Sequence, residues 1–306
     1  VPPLHPDALW RLATSKWAEI EAKLPDLAPS VQLQQRLVRL VLDASTALDD
    51  TISLPLSADA ASGKLLRGVP VMRNETVPIP RALEELVPPL CDALAESGAG
   101  DSARHIRQAI VDKELDAASL LSVSLARHQA AIRTSALHMG FAPDLLWLVG
   151  ELASSPLAHR LQDRVVWSAP RTGTGVRPQE WDRGYCPFCG SWPVFIEVHD
   201  AARSSRCSYC ALGWSLSSHR CVYCGNSGED FLTAAADVHE PQRCVDLCGS
   251  CSGYTKVVEV AAPTPFPLLA IEDLASLALD RGAMDRGYRR PELMNLDAIE
   301  PRTSAC

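Results

Sequence analysis

Four C-x2-C pairs stand between residues 186 and 251, at Cys186/Cys189, Cys207/Cys210, Cys221/Cys224 and Cys248/Cys251. This spacing sets two thiols on one tight turn, and two such turns facing each other make a tetrahedral four-sulfur site for a metal ion. The order is C-x2-C-x17-C-x2-C, then C-x2-C-x23-C-x2-C. The chain therefore reads as carrying two tandem ribbon units. Cys186, Cys189, Cys207 and Cys210 are the candidate ligands of the first, and Cys221, Cys224, Cys248 and Cys251 those of the second. An exchange of turns between the units stays open and leaves the same ligands. Gly190 and Gly225 follow the leading turns, where glycine tolerates a positive φ. Spacing alone favours structural sites, because four protein ligands leave no open position, and it does not separate zinc from iron.

Three cysteines remain. Cys244 reads as a bystander beside the fourth turn, Cys91 as a core residue among apolar neighbours, and Cys306 as an exposed end. The eight histidines show no metal-motif spacing; His219, two residues before Cys221, reads as a solvent-facing loop residue. No phosphate-cradling glycine loop, H-E-x-x-H or G-x-S-x-G occurs.

Charge and hydropathy narrow the class. The chain has 29 Lys and Arg against 37 Asp and Glu, a net charge of −8. Between Arg171 and Val260 eight basic residues face ten acidic ones, which argues against a nucleic-acid interface. No apolar run approaches the ~18–20 residues of a membrane span. Val1 to His5 has neither the basic nor the apolar region of an export signal. Paired cysteines in that setting read as metal ligands in a reducing cytoplasm, not as disulfides.

The fold expected is α with a small β part: a helical domain over 1–168, a linker over 169–184, metal ribbons over 185–219 and 220–262, and a C-terminal helix and tail over 263–306. Leu9, Trp10, Ala13, Trp17, Ile20 and Leu24 recur at helical spacing. Ser30 is placed to cap a second helix, and Pro88-Pro89 to kink or break one around Leu83 to Leu94. One or two helices are expected between Ala103 and Met139, and another from Pro143. Thr51 to Thr76 reads as an irregular connection with a short helix near Lys64 to Arg67. Strands are expected at Val194–Val198, Gly213–Leu216, Phe231–Ala235 and Tyr254–Val260. One last helix is expected over Ile271–Met284, with Leu274, Leu277 and Ala278 inward. The acids Glu272 and Asp273 read as its dipole-favoured first turn, and the chain from Arg289 onward as a loose tail.

Around the cysteines the wording is specific. Tyr185-Cys186-Pro187-Phe188-Cys189-Gly190-Ser191 with Pro193-Val194, Arg206-Cys207-Ser208-Tyr209-Cys210 with Trp214, and Cys221-Val222-Tyr223-Cys224-Gly225 resemble the cysteine turns of the FdhE-type formate dehydrogenase accessory proteins. Cys248 to Cys251 with Tyr254 and Lys256, Asp273-Leu274-Ala275-Ser276-Leu277 with Leu279-Asp280, and Gly287-Tyr288 are similar to the end of that pattern. The resemblance covers Tyr185 to Tyr288, with Cys244 as a departure. It implies a cytoplasmic helper that is not itself an enzyme and that binds the formate dehydrogenase catalytic subunit before export. It also implies rubredoxin-like iron sites. A homodimer is left open. Two other readings are a thiol–disulfide oxidoreductase using one C-x2-C dithiol and a nucleic-acid-binding zinc ribbon.

Overall fold

The computed structural model describes residues 5–49, 51–165, 181–216, 218–235 and 242–292. The expected linker, up to residue 180, Cys306 and most of the expected tail lie outside the described residues. The chain divides into two compact units. One comprises Val1–Leu54 and Asn74–Leu161, and the other Pro55–Arg73 and Gln162–Cys306.

The first unit is helical. α1 (Pro6–Lys23) buries Leu9, Ala13, Trp17 and Ile20, the stripe expected from their spacing. α2 (Ala28–Ala47) begins before Ser30, so that residue is not its cap; Pro29 sits in the first turn, where its missing N–H leaves no bond unmade. The same physics places Pro88 and Pro89 in the first turn of α5 (Val87–Leu94), which follows the short α4 (Arg81–Glu84). The segment from Leu83 to Leu94 is broken as expected, at Glu85 and Leu86 just before the prolines, which then open the second helix. Ala103 to Met139 takes part in three helices, not one or two: α6 (Gly100–Val111), α7 (Ala117–Leu125) and α8 (Gln129–Met139). Asp116 caps α7 by accepting from the Ser119 N–H at 2.8 Å, and Gly140 ends α8 at φ 72°. α9 (Pro143–Arg164) starts on Pro143 as expected and crosses α7 closely. Ser154 Oγ lies 3.1 Å from Ser124 Oγ, and Gly150 faces the same serine.

The second unit is a six-stranded sheet in the order β3-β2-β1-β6-β5-β4. Its strands are β1 (Pro193–His199), β2 (Ala202–Cys207), β3 (Gly213–Trp214), β4 (Phe231–Ala235), β5 (Arg243–Cys248) and β6 (Gly253–Glu259). Each cysteine unit contributes three neighbouring antiparallel strands in the same internal order. The halves join through a parallel pairing of β1 with β6, Phe195 opposite Lys256 through Val198 opposite Glu259. The internal repeat is thus visible in the topology, and one sheet runs through both ribbons.

Beneath the sheet lie α10 (Leu269–Ala275) and α11 (Leu277–Met284), separated by a break at Ser276. Ala283 packs on Val245, Leu247 and Tyr254. The buried apolar positions are Leu269, Ile271, Leu279 and Ala283, whereas Ala278 is exposed, because the break re-phases the apolar stripe. The acids of this segment are not simply a first turn. Lys256, fully buried on β6, places Nζ 2.6 Å from Asp273 and 2.8 Å from Asp280. Arg290 reaches the same two carboxylates at 3.2 and 2.9 Å, and Tyr254 Oη donates to Asp280 at 2.9 Å. Two cations answer two anions, which is the condition for burying such charge. Glu272 pairs with Arg243 at 3.3 Å. Arg289 is pinned as well, its N–H donating to the Ser252 carbonyl at 2.9 Å, so the loose tail does not begin there.

The connection before Asn74 belongs to this second unit. It contains α3 (Ala58–Leu66), capped by Ser57, where a shorter helix was expected. Lys64 Nζ folds the chain back by donating to the carbonyls of Val71 and Arg73 at 2.9 and 2.7 Å. The returning segment donates from the N–H groups of Val71 and Met72 to the carbonyls of Pro187 and Phe188, both at 2.9 Å. Tyr185 Oη donates to the Gly68 carbonyl at 2.8 Å. The first cysteine turn is thereby strapped by residues more than a hundred positions earlier in the chain.

Candidate metal centres

Three of the four C-x2-C pairs lie on knuckles with one hydrogen-bonded design. In the first, the Cys186 N–H donates to the Ser191 carbonyl at 2.8 Å, and the Gly190 N–H returns to the Cys186 carbonyl at 2.9 Å. The pair recurs as Cys207 to Leu212 with Ala211 to Cys207, and as Cys221 to Asn226 with Gly225 to Cys221. The residue after the second cysteine has positive φ in all four knuckles: Gly190 85°, Ala211 62°, Gly225 77° and Ser252 54°. The two glycines visible in sequence mark a demand that Ala211 and Ser252 meet under strain.

The knuckles bring eight sulfurs into two groups. The Sγ atoms of Cys186, Cys189, Cys207 and Cys210 lie within 4.8 Å of one another, and so do those of Cys221, Cys224, Cys248 and Cys251. The pairing is the one expected within each unit, with no exchange of turns. Cys186–Cys210 and Cys189–Cys207 are 3.6 and 3.5 Å apart, and Cys221–Cys251 and Cys224–Cys248 are 3.7 and 3.6 Å apart. A disulfide needs about 2.05 Å, whereas a tetrahedron with metal–sulfur bonds of about 2.3 Å has edges near 3.8 Å. The donor set and spacing fit one ion per cluster, and thiolate softness suits zinc or iron.

Cys244 stays outside both groups. It is half-buried on β5 against Ile196, Val222 and Val257. Cys91 is fully buried, and burial pushes its thiol up to about 12. His219 rests on Phe231 and lies 3.4 Å from Thr233 Oγ1, half-exposed and not a member of either sulfur group. Buried charge near the first cluster escaped sequence reading. Arg206, beside Cys207, is held by Glu197 at 3.0 Å and donates to the Thr264 carbonyl at 2.6 Å.

The clusters are linked by close packing. Tyr185, Trp192 and Tyr223 meet edge to face, with centroids 5.9 and 5.1 Å apart, between the leading knuckles. Gly184 lies so close to the other knuckle that an added Cβ would stand 1.6 Å from the Val222 carbonyl oxygen. Gly184→Ala should therefore destabilise the sheet unit by about 3 kcal/mol or more, because backbone must move. Gly225→Ala, whose Cβ would meet nothing within 4 Å, should cost only the positive-φ strain, about 1 kcal/mol. Denaturant unfolding of both variants measures the difference.

Burial drives the Cys186 and Cys210 thiols well above their ordinary range and raises Cys251 to about 11. At Cys248 burial also opposes ionisation, but the Cys251 N–H and the neighbouring thiols outweigh it and bring the group down to about 7. A thiol raised in this way favours the metal-free form at low pH and loses that advantage as pH rises. Ligation displaces the protons, so affinity should rise steeply from about pH 6 to about pH 8 and acid should release the ions. Competition with a chromogenic chelator across that range tests the sign.

The fold and sites define a protein with a helical unit and a sheet unit carrying twin four-thiol clusters. No protein-family model matches the chain. It is 29% identical over 170 residues to an FdhE homologue of Aquifex aeolicus, covering 52% of this chain and 54% of that protein. It is 30% identical over 152 residues to one of Haemophilus ducreyi, covering 48% and 46%. Against FdhE of Escherichia coli it is 30% identical over 115 residues, covering 36% and 37%. The chain thus spans about half the length, or less, of these relatives. Its fold matches the crystal structure of the FdhE protein from Pseudomonas aeruginosa with a TM-score of 0.61 at 20% identity, over 95% of this chain and 96% of that one. Together these findings support an FdhE-type protein. Among the described residues no helix is long and apolar enough to cross a membrane.

Proposed function

We propose that this chain is an accessory factor for formate dehydrogenase that binds the enzyme's catalytic subunit in the cytoplasm before export. It acts as a binder with no catalysis of its own. In this reading Cys186, Cys189, Cys207 and Cys210 hold one metal ion, Cys221, Cys224, Cys248 and Cys251 a second, and iron or zinc is the metal. The observation that carries it is the pair of complete four-thiol clusters on one sheet in an FdhE-type fold. Four protein ligands leave no coordination position for a substrate, which suits a metal that shapes a docking surface. All four C-x2-C pairs are consumed in clusters, which disfavours a free dithiol oxidoreductase.

The test is capture of the formate dehydrogenase catalytic subunit by the full chain under anaerobic, metal-replete conditions. Retention of the subunit by the loaded protein, and its loss after chelation, is the expected result. No retention in either form overturns the reading.

A further inference from the structure

The two clusters have the same donors and unequal exposure. In the first, all four cysteines are buried to 2% exposure or less, and the Val71–Met72 strap is bonded to the backbone of their leading turn at Pro187 and Phe188. In the second, Cys224 is exposed and Cys251 partly so. The rim around them is small and open, with Gly225, Ser227, Gly228, Gly249, Ser250 and Ser252 all exposed. Nothing there corresponds to the strap among the described residues. Glu229 and Asp230 stand exposed beside this rim. Their charge disfavours an anionic oxidant and leaves a small neutral one unopposed.

We propose that the second cluster is a peroxide-modification site, with Cys224 the sulfur oxidised first and Cys248 the one that resolves it. The inference rests on the metal reading above. The Cys224 thiolate attacks hydrogen peroxide; an S–O bond forms, the O–O bond breaks and hydroxide leaves. The Cys248 thiolate, 3.6 Å away, then attacks the sulfenic sulfur; an S–S bond forms, the S–O bond breaks and a second hydroxide leaves. Two thiolates give up two electrons and peroxide becomes two hydroxides, which take two protons from the buffer to give two waters. Closing the sulfurs from 3.6 Å to a disulfide takes about 1.5 Å of side-chain movement. The second site then holds two thiolates in place of four and no longer retains its ion, while the sealed first site keeps its own.

The experiment uses the full chain loaded with zinc, which is redox-inert. Zinc content is measured first, and the protein is then exposed to hydrogen peroxide with a chromogenic chelator present. Cysteines are mapped by differential alkylation and mass spectrometry. The expected result is release of one of the two zinc ions, a Cys224–Cys248 disulfide, unmodified Cys186, Cys189, Cys207 and Cys210, and recovery of zinc binding after reduction by dithiothreitol. Simultaneous release of both ions, earlier release from the first cluster, or a disulfide through Cys244 overturns the proposal while the metal reading stands. A chain that takes up no zinc or iron overturns the metal reading and this inference with it.

Discussion

Replacing Cys186 with Ser should leave at most one metal ion per chain and lower the stability of the sheet unit by about 4 kcal/mol or more. The loss reaches beyond the first ribbon because β1, which follows the Cys186 knuckle, pairs in parallel with β6, which follows the Cys248 knuckle. The Val71–Met72 strap also loses its anchor on Pro187 and Phe188. Hydrogen exchange should therefore quicken in β1, β2, β6 and the strap together, and the remaining ion should be held more weakly. The helical unit has its own core of Trp17, Leu83, Leu90, Ile106 and Leu121, and its far-UV signal should persist. Metal analysis, circular dichroism and hydrogen exchange on one sample decide this. An unchanged second ribbon would mean that the parallel pairing carries little energy.

Lys256→Met should be nearly as damaging although it touches no sulfur. The substitution keeps the aliphatic stem and removes one charge, leaving Arg290 as the cation shared by Asp273 and Asp280. Breaking a buried ion pair from one side costs roughly 3–5 kcal/mol; Asp280 is largely cut off from water but Asp273 is partly hydrated, so the loss should fall at the low end of that range. The damage should centre on α10 and α11, which these contacts clamp to β6, and both ions should remain bound below the unfolding transition. Adding Asp280→Asn should recover part of the loss, since one stranded charge disappears with it; the two substitutions are then non-additive by about 1 kcal/mol or more. Denaturant unfolding of the two single variants and the double variant measures this coupling. Strict additivity would contradict the network.

The grouping of the sulfurs was legible because it depends on residue type and short spacing. Eight sulfurs fall into two groups of four with the pairing that two ribbon-length gaps imply. The helices were legible where a stripe lies on one face, as in α1. Two strands were not. β2 reads Ala-Arg-Ser-Ser-Arg-Cys and β5 Arg-Cys-Val-Asp-Leu-Cys, and their polar positions are filled by partners that local pattern does not reveal. Arg206 pairs with Glu197 on β1, and Asp246 takes Arg203 and Thr233. The strap escaped for a similar reason: its bonds to Pro187 and Phe188 are made by backbone, which leaves no residue signature. The wording around Lys256, Asp273 and Asp280 pointed to a family. Packing gives it a physical reason, a four-charge clamp under the sheet.

The inequality of the two clusters was invisible in sequence. Both open with C-x2-C-G, and the strap and the complete burial of its four cysteines distinguish the first site from the second. That difference makes the second cluster the accessible one for a chelator or an oxidant.

The most direct test of the account is metal analysis with a visible absorption spectrum and a thiol count on the anaerobically purified full chain. The expected result is two ions per chain, with eight of the eleven cysteines unreactive until a chelator is added. Thiolate-to-iron charge-transfer bands would identify iron; a colourless, zinc-loaded sample would identify zinc. A metal-free chain whose C-x2-C thiols titrate freely would contradict the account at its centre.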